Sequence, residues 1–164
     1  MIARGDLGVE LPIYQLPVYQ RRIAEMAHKY GKPVIMATEL MKSMVKSPYP
    51  TRAEVSDVFN SVMARVDATM LSDETAVGLY PVRTVEYMAK TVKEGENEIV
   101  DPHHDFELQS DDENEFLKKA LAKHALMLAD EAKAKAVIVF SSTGKLAQYL
   151  SALKPNQPVY SFTT

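Results

Sequence analysis

Cysteine is absent from the 164 residues. Without it neither a disulfide nor a thiolate metal site can form, and a reducing cytoplasm suits the chain. A long basic run is also missing and the net charge is −3, so the footprint of a nucleic-acid-binding protein is not there. No apolar stretch approaches the length that crosses a bilayer, and nothing ahead of Ile2 reads as a secretory signal. The expectation is a cytoplasmic protein with no membrane and no nucleic-acid partner. Hydrophobic residues make up 46% and charged residues 25%, the balance of a soluble globular chain with room for one full domain or two partial ones.

What the chain does have is a succession of apolar runs that end in polar residues. Ile2-Ala3-Arg4-Gly5-Asp6-Leu7-Gly8-Val9-Glu10 reads as the end of a buried strand opening into a glycine-containing turn before Pro12. Asp6 then stands just past a strand's C-terminal end, where parallel α/β sheets carry their chemistry. Residues 17–30 read as a helix closed by Gly31, with Leu16, Tyr19, Ile23, Met26, Ala27 and Tyr30 as its apolar stripe. Pro33-Val34-Ile35-Met36-Ala37 is a continuously apolar run ending at Thr38, as expected of a strand buried on both faces. Thr51-Arg52-Ala53-Glu54 is a capping box for the next helix, whose stripe is Val55, Val58, Phe59, Val62 and Met63. Ala68-Thr69-Met70-Leu71 is a third short strand, ending at Ser72-Asp73-Glu74-Thr75. Pro81 suits the first turn of a further helix that carries Val82, Val85, Ala89 and Val92 at helical spacing.

The pattern is strand–helix three times, with the strands about 33 residues apart, within the range of β/α repeats. Right-handed crossovers make such strands parallel, which brings Asp6, Thr38 and the Ser72 to Thr75 run to one edge. From about residue 94 to 115 the chain turns polar and acidic and reads as a linker, and the adjacent His103 and His104 within it read as solvated rather than as metal ligands. Residues 116–133 return to helix, with Leu117, Leu121, Leu128 and Ala132 expected inward. A strand at 136–140, the loop Ser141-Ser142-Thr143-Gly144-Lys145, a helix through Leu153 and a strand at 158–162 make one more βαβ unit. That loop joins a strand to a helix N-terminus and suits a phosphate; an ordinary Ser/Thr helix cap is the other reading.

These residues resemble the pyruvate kinase family. Ala3-Arg4-Gly5-Asp6-Leu7-Gly8-Val9-Glu10 is similar to that family's sixth barrel strand and turn, and Gly31-Lys32-Pro33-Val34 with Ala37-Thr38 to its seventh strand. Pro50-Thr51-Arg52-Ala53-Glu54-Val55-Ser56-Asp57-Val58 is similar to the helix that follows, and Met70-Leu71-Ser72 with Glu74-Thr75-Ala76 to the end of the eighth strand. The resemblance implies an α/β fold: the last three β/α units of a TIM (β/α)₈ barrel over residues 1–95, a linker over 96–115, and the start of an α/β C-terminal regulatory domain over 116–164.

The activity implied is transfer of a phosphoryl group from phosphoenolpyruvate to ADP, giving pyruvate and ATP, with Mg²⁺ or Mn²⁺ and K⁺ as cofactors. Catalytic roles fall to Arg4, Thr38, Ser72 and Glu74, substrate binding to Gly5, Asp6 and Thr38, and metal ligation to Asp6. Arg4 is expected to shape the site and balance charge, and Ser72 and Glu74 to belong to the network that protonates the enolate. Ser141, Ser142, Thr143, Gly144 and Lys145 would hold the phosphate of a sugar-phosphate effector, in a protein that works as a homo-oligomer, a tetramer in the full-length family.

Three positions depart from the family pattern: Glu39 where Gln is common, Asp73 where Gly is, and Val77 where Lys is. Two added acids and one lost base are expected to make the pocket more negative. The family's catalytic lysine, second metal carboxylate, and potassium and nucleotide sites lie on earlier strands, so the chain alone is expected to be inactive. A non-catalytic phosphate-binding or assembly module of the same ancestry is the alternative. Three β/α units alone would also leave sheet edges and an inner face uncovered, so self-association or loose packing is expected.

Overall fold

The chain, described from a computed structural model, is defined over residues 1–99 and 112–163; His103 and His104 lie outside the described residues. Strand β1 (Ile2–Ala3) leads into helix α1 (Arg4–Glu10), and a 3₁₀ turn precedes α2 (Leu16–Lys29). Strand β2 (Ile35–Ala37) is followed by a 3₁₀ turn at Lys42–Val45 and by α3 (Arg52–Met63). Then come β3 (Ala68–Met70), the single turn α4 (Asp73–Ala76) and α5 (Pro81–Glu98). Helix α6 (Glu113–Glu131), β4 (Val137–Phe140), α7 (Lys145–Ala152) and β5 (Val159–Phe162) complete the order. Two compact units result, one of Met1–Glu25 with Val34–Val100, the other of Met26–Pro33 with Asp101–Thr164.

In the first unit β1, β2 and β3 form a parallel sheet in that order, with Ile2 opposite Met36 and Met36 opposite Thr69. The strand–helix order is built as expected, but β2 is not buried on both faces, because Ile35 is exposed, and Met63 at the end of α3 is exposed as well. Ile2, Met36 and Ala37 are fully buried, and Val34, Leu40, Met41 and Met44 join them in the core. Helix α3 starts with the capping box: Glu54 N–H donates to Thr51 Oγ1 at 3.2 Å, and Thr51 N–H to Glu54 Oε2 at 2.7 Å. Glu54 also reaches back to the 3₁₀ turn, accepting from the Ser43 N–H at 2.6 Å and the Ser43 hydroxyl at 2.5 Å. Burial pushes the Glu54 carboxyl up, but these bonds from Ser43 and Thr51 together outweigh it and hold the carboxyl below its ordinary value.

In the second unit β4 and β5 pair in parallel with Val137 opposite Val159. Ala122 and Leu126 of α6, Val139 of β4, and Tyr149, Leu150 and Leu153 at α7 form its core. The other face of that sheet, with Ile138, Phe140, Tyr160 and Phe162, is exposed.

Four local expectations are corrected. Arg4–Glu10 is a helix and not a turn, and Gly5 and Gly8 have no positive φ, so neither glycine is used to reverse the chain. Helix α2 ends at a left-handed Gly31 as expected, yet Tyr19, Met26 and Tyr30 of its apolar stripe are exposed while Ala24 and His28 are buried. In α5, Val82, Val85 and Ala89 face out; the buried line is Thr84, Met88, Thr91 and Gly95. Both threonines return their hydroxyls to the carbonyl four residues back, Thr84 to Tyr80 and Thr91 to Tyr87, each at 2.9 Å. That leaves their methyl groups free to pack as apolar surface. Gly95 completes the line because it admits Val62 of α3: a Cβ there would lie 3.0 Å from the Val62 side chain. In α6, Leu117, Leu121, Leu128 and Ala132 are likewise exposed, and Lys119, Ala122, Leu126 and Ala129 are buried. Lys119 is covered because its ammonium lies over the Tyr149 ring, 5.5 Å from the centroid, while its stem packs inward.

Two outcomes follow from this packing. Leu126→Ala should cost about 2–5 kcal/mol, whereas Leu121→Ala on the outer face should cost under about 0.5 kcal/mol, read from urea denaturation of the 164-residue chain. A larger loss at Leu121 than at Leu126 would mean that α6 packs by the other face. The second concerns pH. Glu54 titrates lower in the folded chain than its ordinary 4.5, so its contribution is present above that value and fades as pH falls through the folded value. Stability measured between about pH 6 and pH 3 should therefore fall less steeply in Glu54→Gln than in the parent.

Candidate active site

Because the three strands are parallel and in register, the segments leaving β1, β2 and β3 emerge at one edge of the sheet. Two sets of side-chain bonds join them. Arg4 grips the first residue beyond β2: its Nε and Nη2 both donate to the Thr38 carbonyl oxygen, at 3.1 and 2.6 Å. Its Nη1 forms an ion pair with Asp57 Oδ2 of α3. The Arg4 side chain is 10% exposed and that of Asp57 34%, so the pair is partly shielded from water on the arginine side and open to it on the carboxylate side. The Gly5 N–H in turn donates to Thr38 Oγ1 at 3.0 Å. Thr38 and Glu39 both have left-handed backbone, at φ 70° and 56°. For a β-branched residue this is a costly conformation that only surrounding contacts sustain.

The second set is built on Glu74, which is fully buried. Its Oε1 accepts from the Met41 N–H at 3.2 Å, and its Oε2 from the Ser72 N–H at 2.9 Å and the Ser72 hydroxyl at 3.4 Å. A carboxylate placed so deep needs donors on both oxygens, and here the backbone supplies them. The Leu79 N–H adds a bond to the Val45 carbonyl at 3.0 Å across the same gap. Gly78 is required by space: a Cβ there would sit 2.3 Å from the Glu74 carbonyl oxygen.

The sheet edge therefore brings Arg4, Gly5 and Thr38 into direct contact, and likewise Ser72 and Glu74. Asp6 stands beside them in the first turn of α1, exposed. The sequence reading did not single out Asp57, although it lay within a quoted motif, and it missed Lys42. Lys42 Nζ lies 2.6 Å from Asp73 Oδ2. The bond to Asp73, then its charge, holds the ammonium above the ordinary lysine value, with Glu39 and Glu74 adding to the same field. The acid that Asp73 adds is thus matched by a base at the start of the Lys42–Val45 turn, and the expected surplus of negative charge is smaller than the residue count implied. Val77 is exposed.

In the second unit, Ser141 closes β4 by donating its N–H to the Phe162 carbonyl at 3.0 Å. Gly144, at φ 72°, occupies the N-cap of α7, and no side chain caps the helix. Lys145 Nζ pairs with Glu115 Oε1 at 3.0 Å. The bond and charge of Glu115 raise the Lys145 ammonium above its usual value, and Lys145 in turn lowers the Glu115 carboxyl.

Comparison with known proteins matches this arrangement. Residues 1–85 match the family model described as pyruvate kinase, barrel domain, and residues 119–164 that described as pyruvate kinase, alpha/beta domain. Pyruvate kinase 2 of Synechocystis sp. is 40% identical over 163 residues, 99% of this chain and 27% of that protein. Pyruvate kinase 1 of Trypanosoma brucei brucei is 42% identical over 171 residues, covering all of this chain and 33% of that one. A crystal structure of a pyruvate kinase from Cryptosporidium parvum superposes with a TM-score of 0.86 at 35% identity, over 98% of this chain and 33% of that one. The chain thus spans about a third of the length of these relatives. On the match of residues 1–85 and 119–164 to the two family models, the chain belongs to the pyruvate kinase family.

Proposed function

We propose that this chain is part of an enzyme that moves a phosphoryl group from phosphoenolpyruvate to ADP, giving pyruvate and ATP in glycolysis. The joined sheet edge carries this reading: Arg4, Gly5, Thr38, Ser72 and Glu74 are tied across three strand outlets, with Asp6 beside them. Phosphoryl transfer asks a protein for positioning and charge stabilisation more than for covalent chemistry, and a braced rim supplies positioning.

In this reading the Thr38 hydroxyl stands against the substrate near the carbon that is protonated. The substrate carboxylate meets the N–H groups of Gly5 and Asp6, competing with Thr38 Oγ1 for the Gly5 donor. Ser72, half-buried, belongs to the polar network that delivers the proton, and Glu74 holds that network's shape. The exposed Asp6 carboxylate offers the hard oxygen that Mg²⁺ or Mn²⁺ prefers. Among the described residues no three His, Cys, Asp or Glu side chains gather to hold a metal. In this reading the ion's further ligands, the K⁺ site, the nucleotide contacts and the family's catalytic lysine come from earlier barrel strands, as the resemblance implies. When bound, the metal would neutralise charge on the transferring group.

Residues 1–95 would form the last three β/α units of the barrel, 96–115 a linker, and 116–164 the start of the regulatory domain. A homo-oligomer in the cytoplasm is the proposed state. The loop from Ser141 to Lys145 would hold the phosphate of a sugar-phosphate effector, with left-handed Gly144 turning the chain so that the first N–H groups of α7 face outward. Such an anion would compete with Glu115 for Lys145.

In the full-length enzyme, Asp6→Asn should lower turnover by roughly 10²–10³-fold with the fold intact, as loss of a charged metal ligand requires. Near-normal pyruvate formation at saturating magnesium would remove Asp6 from the metal site. Replacing both Thr143 and Lys145 with Ala should abolish activation by a sugar phosphate and spare basal turnover. An unchanged activation curve would leave the loop as a strand–helix connection only.

A further inference from the structure

We infer that Asp57, on α3 and remote from the sheet edge in sequence, is a positioning residue that acts through Arg4 to set the orientation of Thr38. The inference rests on the reading above, in which the Thr38 hydroxyl meets the substrate.

Three observations meet at Thr38. Its backbone is left-handed at φ 70°, and Glu39 after it is left-handed as well. A threonine leaves that conformation unless it is held, because its branched Cβ crowds the neighbouring carbonyl. The holding contact is its own carbonyl oxygen, which receives two guanidinium donors from Arg4. The third guanidinium nitrogen is fixed by Asp57, so the fork cannot rotate away from the carbonyl. A planar fork with all three nitrogens engaged is rigid in a way that a lysine in the same place would not be.

The consequence reaches the hydroxyl. With the Thr38 carbonyl pinned, the side chain presents Oγ1 to the Gly5 N–H at 3.0 Å. Gly5 directly follows Arg4, so one short segment grips Thr38 at both its carbonyl and its hydroxyl. Removing the Asp57 charge would free one end of the fork and loosen both contacts. Asp57 is also the only element of this chain of contacts that α3 contributes among the described bonds, which couples the helix to the chemistry at the rim. None of its atoms needs to touch a substrate.

The test uses the full-length enzyme. Asp57→Asn should lower kcat roughly 10- to 100-fold and move the KM for phosphoenolpyruvate by less than about threefold, the pattern of a misplaced group rather than of lost binding. Thr38→Val should lose a similar amount, and the double variant should be no slower than Thr38→Val alone, since the two act through one contact. Arg4→Lys, which keeps the charge and loses the fork, should behave as Asp57→Asn does and stands in for it if that variant folds poorly. The structural arm is NMR: Asp57→Asn should shift the Thr38 methyl and Gly5 amide signals and leave the Met41 and Ser72 amides, held by Glu74, in place. Unmoved Thr38 and Gly5 signals would overturn the inference whatever the kinetics. Losses that multiply in the double variant would do so too, as would a full kcat in Asp57→Asn beside an impaired Thr38→Val. If Thr38→Val is as fast as the parent, the role of Thr38 at the substrate falls, and the NMR arm alone then decides whether Asp57 orients it.

Discussion

Strands of two and three residues make few ladder bonds, so the register of this sheet must be held from outside the ladder. At the entrance, Asp67 takes the Val34 N–H on its carboxylate at 2.6 Å and gives its own N–H to the Val34 carbonyl at 2.8 Å. At the exit, Arg4 and Gly5 bind Thr38 on one side, and Glu74 binds Met41 and Ser72 on the other. The Glu74–Met41 bond is buried and the Arg4, Asp67 and Ser72 bonds are partly so; where water is excluded a satisfied polar contact is strong and a broken one is costly. The residues that fix the strands are therefore the same residues that line the rim. Fold and site share one set of bonds.

That economy explains why the site lies where backbone conformation is least relaxed. Thr38 and Glu39 occupy left-handed backbone at the outlet of the central strand, flanked by clasps on both sides. The cost of such a pair is of order 1–3 kcal/mol per residue, and only a neighbourhood that over-determines it can keep it. Arg4, partly buried and itself held by Asp57, is that neighbourhood. Farther out, the Lys42–Asp73 pair is exposed and worth little as a bond, but it balances the charge that Asp73 brings to the rim.

The helices carry a different constraint. Helix α5 hides Thr84, Met88, Thr91 and Gly95 and leaves Val82 and Val85 outside; α6 hides Ala122 and Leu126 and leaves Leu117, Leu121 and Leu128 outside. Small or self-satisfied residues are buried wherever helices approach closely, as Gly95 does against Val62. Val82, Val85, Leu117, Leu121 and Leu128 form surface here, together with the outer face of the β4–β5 sheet. This chain spans about a third of its relatives, and those faces are a property of this third.

Much of the architecture was legible in the residues alone. Period and turn chemistry marked the three β/α repeats, the Gly31 cap and the Thr51–Glu54 box, because each depends on contacts within a few positions. Parallel pairing then placed the outlets carrying Asp6, Thr38 and the Ser72 to Thr75 run at one edge, as strand spacing and crossover handedness require. Three things were decided only by tertiary structure. Which face of α2, α5 and α6 is buried depends on partners far away in sequence, and a hydrophobic count cannot see a threonine that bonds its own helix. The segment after β1 is a helix because its start is anchored to Thr38, more than thirty residues on. The Arg4–Asp57 and Lys42–Asp73 pairs join residues 53 and 31 positions apart. Pairing at such range is set by where the backbone brings two charges together, and no local pattern in the chain records it.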